Sequence, residues 1–242
     1  MENGFHGFER IDFMFNGRSS ILVKPKASAP GNPWVLRAEF FGAFPSADIM
    51  MLERGWCVAY HCLSDMYGCP EAVSGMHEFY KHMVSEYGLN PCPSVFGFSR
   101  GGLYASNYCF AHPDCLSSLY LDAPVMSIQS WPCGNDEYPK EKKECLACYG
   151  LTEETLVCFK DNPIDHSEQL GASGVPVILV AGGKDEVVPF EDNGLPFSER
   201  FRLAGGDIAV IVKPECGHHP HSLENARPIA DFIEKAFHKH YL

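Results

Sequence analysis

The chain has 242 residues, 45% of them hydrophobic and 21% charged, which excludes a disordered, collagenous or fibrous protein. At this length one large domain is expected, with a core that buries about three-quarters of the surface the unfolded chain exposes. The 19 Lys and Arg against 31 Asp and Glu give a formal charge of −12 with no basic run, so nucleic acid and anionic membrane surfaces are poor partners. No stretch approaches the roughly 18 apolar residues that a bilayer span needs. The first 20 residues lack a charged segment followed by an apolar one, which points to the cytoplasm. The 11 cysteines are odd in number, and Cys145 and Cys148 form a lone C-x-x-C with no second pair at zinc-finger spacing. A domain of this size needs no covalent staples, so reduced, mostly buried thiols are expected.

In chain order, residues 9–15 and 21–25 predict two strands joined at Asn16-Gly17, a hairpin signal. An apolar strand follows over 34–41, then a short helix over 46–54 with Ser46 as its cap, and a strand over 57–63. Between 70 and 87, Val73, Met76, Phe79, Tyr80, Met83 and Tyr87 recur at three- and four-residue steps and predict a helix with one buried face. A strand at 94–98, a small-residue helix at 101–111 and a strand at 116–121 come next. The pattern breaks down from 125 to 174, with helical potential only near 141–149 and 153–159. It resumes with a strand at 175–181, a helix at 197–203, a strand at 208–213 and a closing helix at 225–240. Apolar strands alternating with helices mean a mostly parallel sheet covered on both faces. The irregular stretch is too long for a plain connection and reads as an inserted cap.

Gly97-Phe98-Ser99-Arg100-Gly101 matches G-x-S-x-G, with an apolar strand entering and a small-residue helix leaving. In that context the serine sits on a sharp turn with its hydroxyl presented above the sheet. A serine hydroxyl is a weak nucleophile that needs a base, itself oriented by an acid. Asp185 follows the strand at 175–181 in Gly-Gly-Lys-Asp-Glu-Val-Val-Pro, and His218 follows the strand at 208–213 in Gly-His-His-Pro-His. All three lie at carboxyl ends of strands, where open α/β sheets bind ligands. His219 and His221 compete with His218 for the role of base, and Glu186 with Asp185 for that of the acid. A zinc site is not expected from the histidine trio, because neighbours in sequence converge poorly on one ion and no carboxylate lies within the cluster.

These motifs together resemble the α/β-hydrolases over nearly the whole chain, and among them the esterase branch of bacterial hydrolases that includes enzymes acting on plant-polysaccharide esters. The resemblance implies a single domain, 1–242, with 125–174 as cap. It makes Ser99 the nucleophile, Asp185 the acid and His218 the base, since family members read Gly-His-x-Pro at the last of these. Backbone N–H groups of Arg100 and of the loop after the strand at 34–41 would form the oxyanion hole. That loop, Ala38-Glu39-Phe40-Phe41-Gly42, resembles the His-Glu-Ile-Phe-Gly segment of dienelactone hydrolases, which favours Phe40 and leaves Glu39 open; it departs from the His-Gly-Gly-Gly loop of many lipases. Glu39 reads either as a buried carboxylate near the serine or as a solvated loop charge. Arg37 and Arg100 would suit an acidic or sugar-acid substrate at the mouth, or Arg100 would pair with a cap carboxylate. Tyr67, Trp131 and Tyr138 would stack on a sugar or form the cap's own core, and His219 would contact substrate. The expected activity is hydrolysis of a small or carbohydrate-borne carboxylic ester without a cofactor. The alternatives are a peptidase or thioesterase on the same residues, and a catalytically silent binding module. A homo-oligomer is left open.

Overall fold

The computed structural model describes residues 4–241, so the outermost residues of the expected 1–242 domain lie outside the description. Among the described residues nine strands form one sheet: β1 (Gly4–Phe5), β2 (Phe8–Phe15), β3 (Arg18–Lys24), β4 (Trp34–Arg37), β5 (Cys57–His61), β6 (Ser94–Phe98), β7 (Ser118–Asp122), β8 (Val177–Gly182) and β9 (Ile208–Lys213). Their order is β1-β2-β3-β5-β4-β6-β7-β8-β9. The first three strands and the β3–β5 pair are antiparallel, and every pair from β5 to β9 is parallel.

The parallel strands alternate their side chains between two covering layers, as the two-residue period requires. Leu36, Leu119, Leu121 and Leu179 join the core under α2 (Pro70–Tyr87), α3 (Gly101–Ala111) and α7 (Gly194–Leu203). Val35, Phe96, Tyr120, Ile178 and Val180 face the other way, against α1 (Ser46–Glu53) and α8 (Arg227–Tyr241). Because both faces are dry, the strands read as continuous apolar runs. The helix expected over 70–87 forms with those bounds and buries Val73, Met76, Phe79, Tyr80 and Met83, while Gly88 closes it in the left-handed conformation at φ 62°.

Differences from the sequence reading lie at element ends and in two short elements it did not expect, β1 and a helix over Ser167–Ala172. The strand expected over 34–41 stops at Arg37, because the Arg37 guanidinium gathers the carbonyls of Glu39, Phe40 and Ala43 and curls the next residues into a loop. β1 is too short to leave a signal. The segment from 125 to 174 carries α4 (Pro139–Tyr149), α5 (Glu153–Leu156) and α6 (Ser167–Ala172). α5 stops short of the expected 159, its start held by a capping box between Thr152 and Thr155. Val125, Ile128, Cys133, Cys145 and Leu156 form a separate apolar cluster with Tyr67 and Leu103. The cysteines are free thiols; burial pushes Cys57 up to about 11 and Cys109 up to about 12. Among the described residues no helix is long and apolar enough to cross a membrane.

The sheet's strand order reverses between β4 and β6: the chain runs outward from β4 to β5, then crosses back to lay β6 on the other side of β4. Loops leaving adjacent strands part there and open a crevice at their carboxyl ends. α3 then packs so tightly on β6 that a Cβ on Gly97 would lie 2.6 Å from the carbonyl oxygen of Gly101 and 2.7 Å from the Ala105 methyl. Backbone cannot yield as a side-chain tip does, so Gly97→Ala is expected to cost about 1–3 kcal/mol, read by urea denaturation. An unchanged unfolding midpoint would show that α3 can lift off β6 freely.

Candidate active site

β6 passes into α3 through Ser99 and Arg100 alone. Ser99 takes φ 49°, a left-handed conformation that side chains avoid. It is held there from both sides. Its N–H donates to the Asp122 carbonyl at 2.9 Å, and its own carbonyl accepts from Gly102 at 2.8 Å and Val125 at 3.0 Å. The turn is possible only because side chains are missing around it: a Cβ on Gly102 would lie 2.6 Å from Pro124 Cβ, and one on Gly101 would lie 3.2 Å from Glu39 Cβ.

The Ser99 hydroxyl lies 2.9 Å from His218 Nε2, and His218 Nδ1 lies 2.7 Å from Asp185 Oδ2. A carboxylate only accepts, so Nδ1 carries the proton and the Nε2 lone pair faces the serine. Asp185 Oδ1 accepts from the N–H groups of Val187 at 3.0 Å and Val188 at 2.8 Å, which fixes its plane. The structure thus brings together the three residues from the ends of β6, β8 and β9, and of the three histidines it is His218 that faces Ser99. His221 turns inward, its Nδ1 donating to Asp122 Oδ1 at 2.9 Å. Asp122, at the end of β7, also accepts from the Tyr120 hydroxyl and the Ser222 N–H. His219 is exposed and stacks on Phe44 with ring centroids 5.3 Å apart. Partial burial, then the neighbouring His221 and His218, hold its pKa below the usual value.

A cavity of about 200 Å³ opens beside Ser99, walled by Phe40, Ala43, Phe44, Phe98 and the three histidines. Phe40, at φ 52°, turns the loop after β4 over this cavity. Glu39 points away from it as a buried carboxylate, taking hydrogen bonds from Ser64 Oγ and Arg100 Nε, both at 2.6 Å. Arg100 pairs with Asp65 at 2.9 Å as well, not with a cap carboxylate. Burial works against its charge, but the Glu39 carboxylate prevails and raises its pKa.

Three of the residues expected to bind substrate are placed elsewhere. Arg37 is 1% exposed: it lies 2.8 Å from Asp48, and its guanidinium stacks 3.8 Å above the Phe98 ring. It is a strut beneath the loop, because a guanidinium with five donors is what several converging carbonyls need. Tyr67 has no exposed surface and donates its hydroxyl to Glu144 at 2.9 Å. Trp131 is half-buried in the apolar cluster around Val125, Ile128 and Leu156, with its ring 6.1 Å from Tyr67 and 5.8 Å from Tyr138, and does not line the cavity at Ser99. The Glu39–Arg100–Asp65 bridge and the His221–Asp122 pair were not expected from the sequence.

No protein-family model matches the chain, and no curated sequence does; the measurable likeness is one of structure. The dipeptidyl peptidase 4 of Porphyromonas gingivalis superposes with a TM-score of 0.69 and 11% identity, over 95% of this chain and 35% of that one. The acylaminoacyl peptidase of Pyrococcus horikoshii gives 0.70 and 13%, over 95% of this chain and 42% of that one. The fold is that of the α/β-hydrolases. The chain spans about two-fifths or less of the length of these structures, so the likeness carries the architecture and not their activities.

Replacing Arg37 by methionine should remove the guanidinium that faces Asp48 Oδ2 while keeping the volume, at a cost of about 3–5 kcal/mol for the stranded carboxylate. Burial raises the Asp48 pKa more strongly than Arg37 lowers it. Ionised Asp48 therefore opposes folding as pH rises through its unfolded value of about 3.9. The deficit of Arg37→Met should be larger at neutral pH than near pH 4, as followed by thermal and urea unfolding. Lost turnover at full stability would instead put Arg37 at the substrate.

Proposed function

We propose that the protein is a serine hydrolase that cleaves a carboxylic ester, small or carried on a carbohydrate, through an acyl-enzyme on Ser99. The observation that carries this reading is the continuous hydrogen-bonded chain from Ser99 through His218 to Asp185 at the edge of an apolar cavity. As Ser99 Oγ bonds to the ester carbon, His218 Nε2 takes its proton and Asp185 steadies the imidazolium. The carbonyl oxygen, now carrying charge, is received by the N–H of Arg100 and the N–H of Phe40. Arg100 stands at the head of α3, before that helix's own hydrogen bonds begin. The tetrahedral centre collapses, the C–O bond to the alcohol breaks, and His218 returns the proton to the departing oxygen. Water then repeats the sequence, releasing the acid and Ser99.

The cavity sets the scale of the group beside the serine. About 200 Å³ walled by Phe40, Ala43 and Phe44 suits a small apolar moiety such as an acetyl or methyl group. A peptidase reaction on the same residues is the second reading, favoured by the two superposed structures being peptidases.

Ser99→Ala should lower kcat by a factor on the order of 10⁴ or more, His218→Ala should do nearly the same, and the double variant should add little, because the three groups act as one unit. The wild type should also take a fluorophosphonate label that Ser99→Ala refuses. Retained esterase activity in Ser99→Ala would end the proposal. Paired nitrophenyl ester and aminoacyl anilide substrates decide between the two readings: faster turnover of the anilides would favour the peptidase.

A further inference from the structure

We propose that His218, His219 and His221 form a binding site for a borderline divalent ion such as Zn²⁺ or Co²⁺, whose occupancy takes His218 away from Ser99. One ring nitrogen from each histidine lies within 4.8 Å of the other two. The ring centroids are 4.8, 4.9 and 4.9 Å apart, and the planes cross at 62°, 80° and 90°. Nitrogen lone pairs lie in the ring planes, so steeply crossed rings can aim at one point where stacked rings could not.

Two of the three ligands are already oriented. His221 is held by Asp122 and His218 by Asp185, each through Nδ1, at 2.9 and 2.7 Å. In both rings Nε2 is the nitrogen turned away from the carboxylate, that of His218 lying 2.9 Å from the Ser99 hydroxyl, which an ion would displace, and a carboxylate behind a histidine is the arrangement that raises its basicity and fixes its direction. Sequence adjacency hid this, since Asp122 and Asp185 come from distant strands. Metal–nitrogen bonds of about 2.0–2.1 Å in a tetrahedral site need nitrogens about 3.3 Å apart, so the trio must close by up to about 1.5 Å. His219, whose ring is exposed, can supply its own share of that movement; the rest must come from His218 turning off Ser99 about its bond to Asp185. Three imidazoles select Zn²⁺, Co²⁺, Ni²⁺ or Cu²⁺ over Mg²⁺ and Ca²⁺. The fourth position opens into the cavity beside Ser99. With its Nε2 lone pair given to the ion, His218 has nothing left to accept the serine proton. Binding of the ion stands without the proposed function; inhibition by it rests on that reading.

The test is titration of the chelator-treated protein with Co²⁺, followed by calorimetry and visible absorption. Wild type and Ser99→Ala should each bind one equivalent tightly, with d–d bands and no thiolate-to-cobalt charge transfer, which sets the site apart from the free cysteines. His219→Gln, an exposed change that leaves the fold intact, should weaken binding about tenfold or more, and so should His221→Gln. Zn²⁺ should displace the cobalt and block ester turnover in step with its occupancy. No saturable binding below millimolar Co²⁺, unchanged affinity in both variants, or charge-transfer bands would overturn the site. Tight binding by Ser99→Ala alongside a wild type that hydrolyses no ester would leave the ion site standing and remove the hydrolase reading. Ester turnover untouched by millimolar Zn²⁺ would do the reverse.

Discussion

The turn from β6 into α3 is the constraint on which the rest of this site depends. It puts a serine into left-handed backbone, which costs on the order of 1–3 kcal/mol and persists only where the surroundings over-determine it. Here they do so through three backbone hydrogen bonds, two donated by Gly102 and Val125 and one accepted by the Asp122 carbonyl, and through glycines that let α3, the Pro124 loop and the Glu39 loop close in together. The same compression aligns elements that belong to different parts of the chain. The end of β7 supports Ser99 with its backbone and His221 with its Asp122 carboxylate, so the elbow and the histidine loop are braced by one residue.

Charge is used beneath the site more than at its mouth. Arg37 and Arg100 are both enclosed, one bound to Asp48 and loop carbonyls, the other bridging Glu39 and Asp65. Buried ion pairs are weak sources of net stability because desolvation offsets their attraction. What they supply here is direction. Arg37 gathers three carbonyls of the loop after β4, and Arg100 fastens Glu39 of that loop to the head of α3. The two struts together set the path of Phe40 over Ser99. Both guanidinium groups are thus spent on the loops that frame Ser99.

Much of this was legible from the amino-acid order, and the reason is local. Gly97, Ser99 and Gly101 signal the turn within five residues, and continuous apolar strands announce a sheet buried on both faces. Asp185 and His218 were readable because each closes a strand in a compact motif. The failures share another cause. Arg37 read as a mouth residue and Tyr67 as a stacking platform, because nothing near them in sequence says that Asp48 and Glu144 will meet them. The His221–Asp122 pair spans 99 residues and exists only once β7 and the loop after β9 are adjacent. Contacts of that range follow from strand order, which single-chain patterning does not carry.

The superposed peptidases sharpen what separates an ester from an amide on such a scaffold. The attacking hydroxyl, the base and the oxyanion donors are the same for both substrates. An amine leaving group must be protonated as it departs, whereas an alkoxide is a much better leaving group, so an amide demands tighter placement of the leaving atom against His218. Placement of that kind comes from binding the chain on either side of the scissile bond. Here the cavity at Ser99 is walled by Phe40, Ala43, Phe44 and Phe98 together with His218, His219 and His221. A small ester asks only for burial of its alkyl group and for an aligned carbonyl. The proposed ester reading rests on that lesser demand.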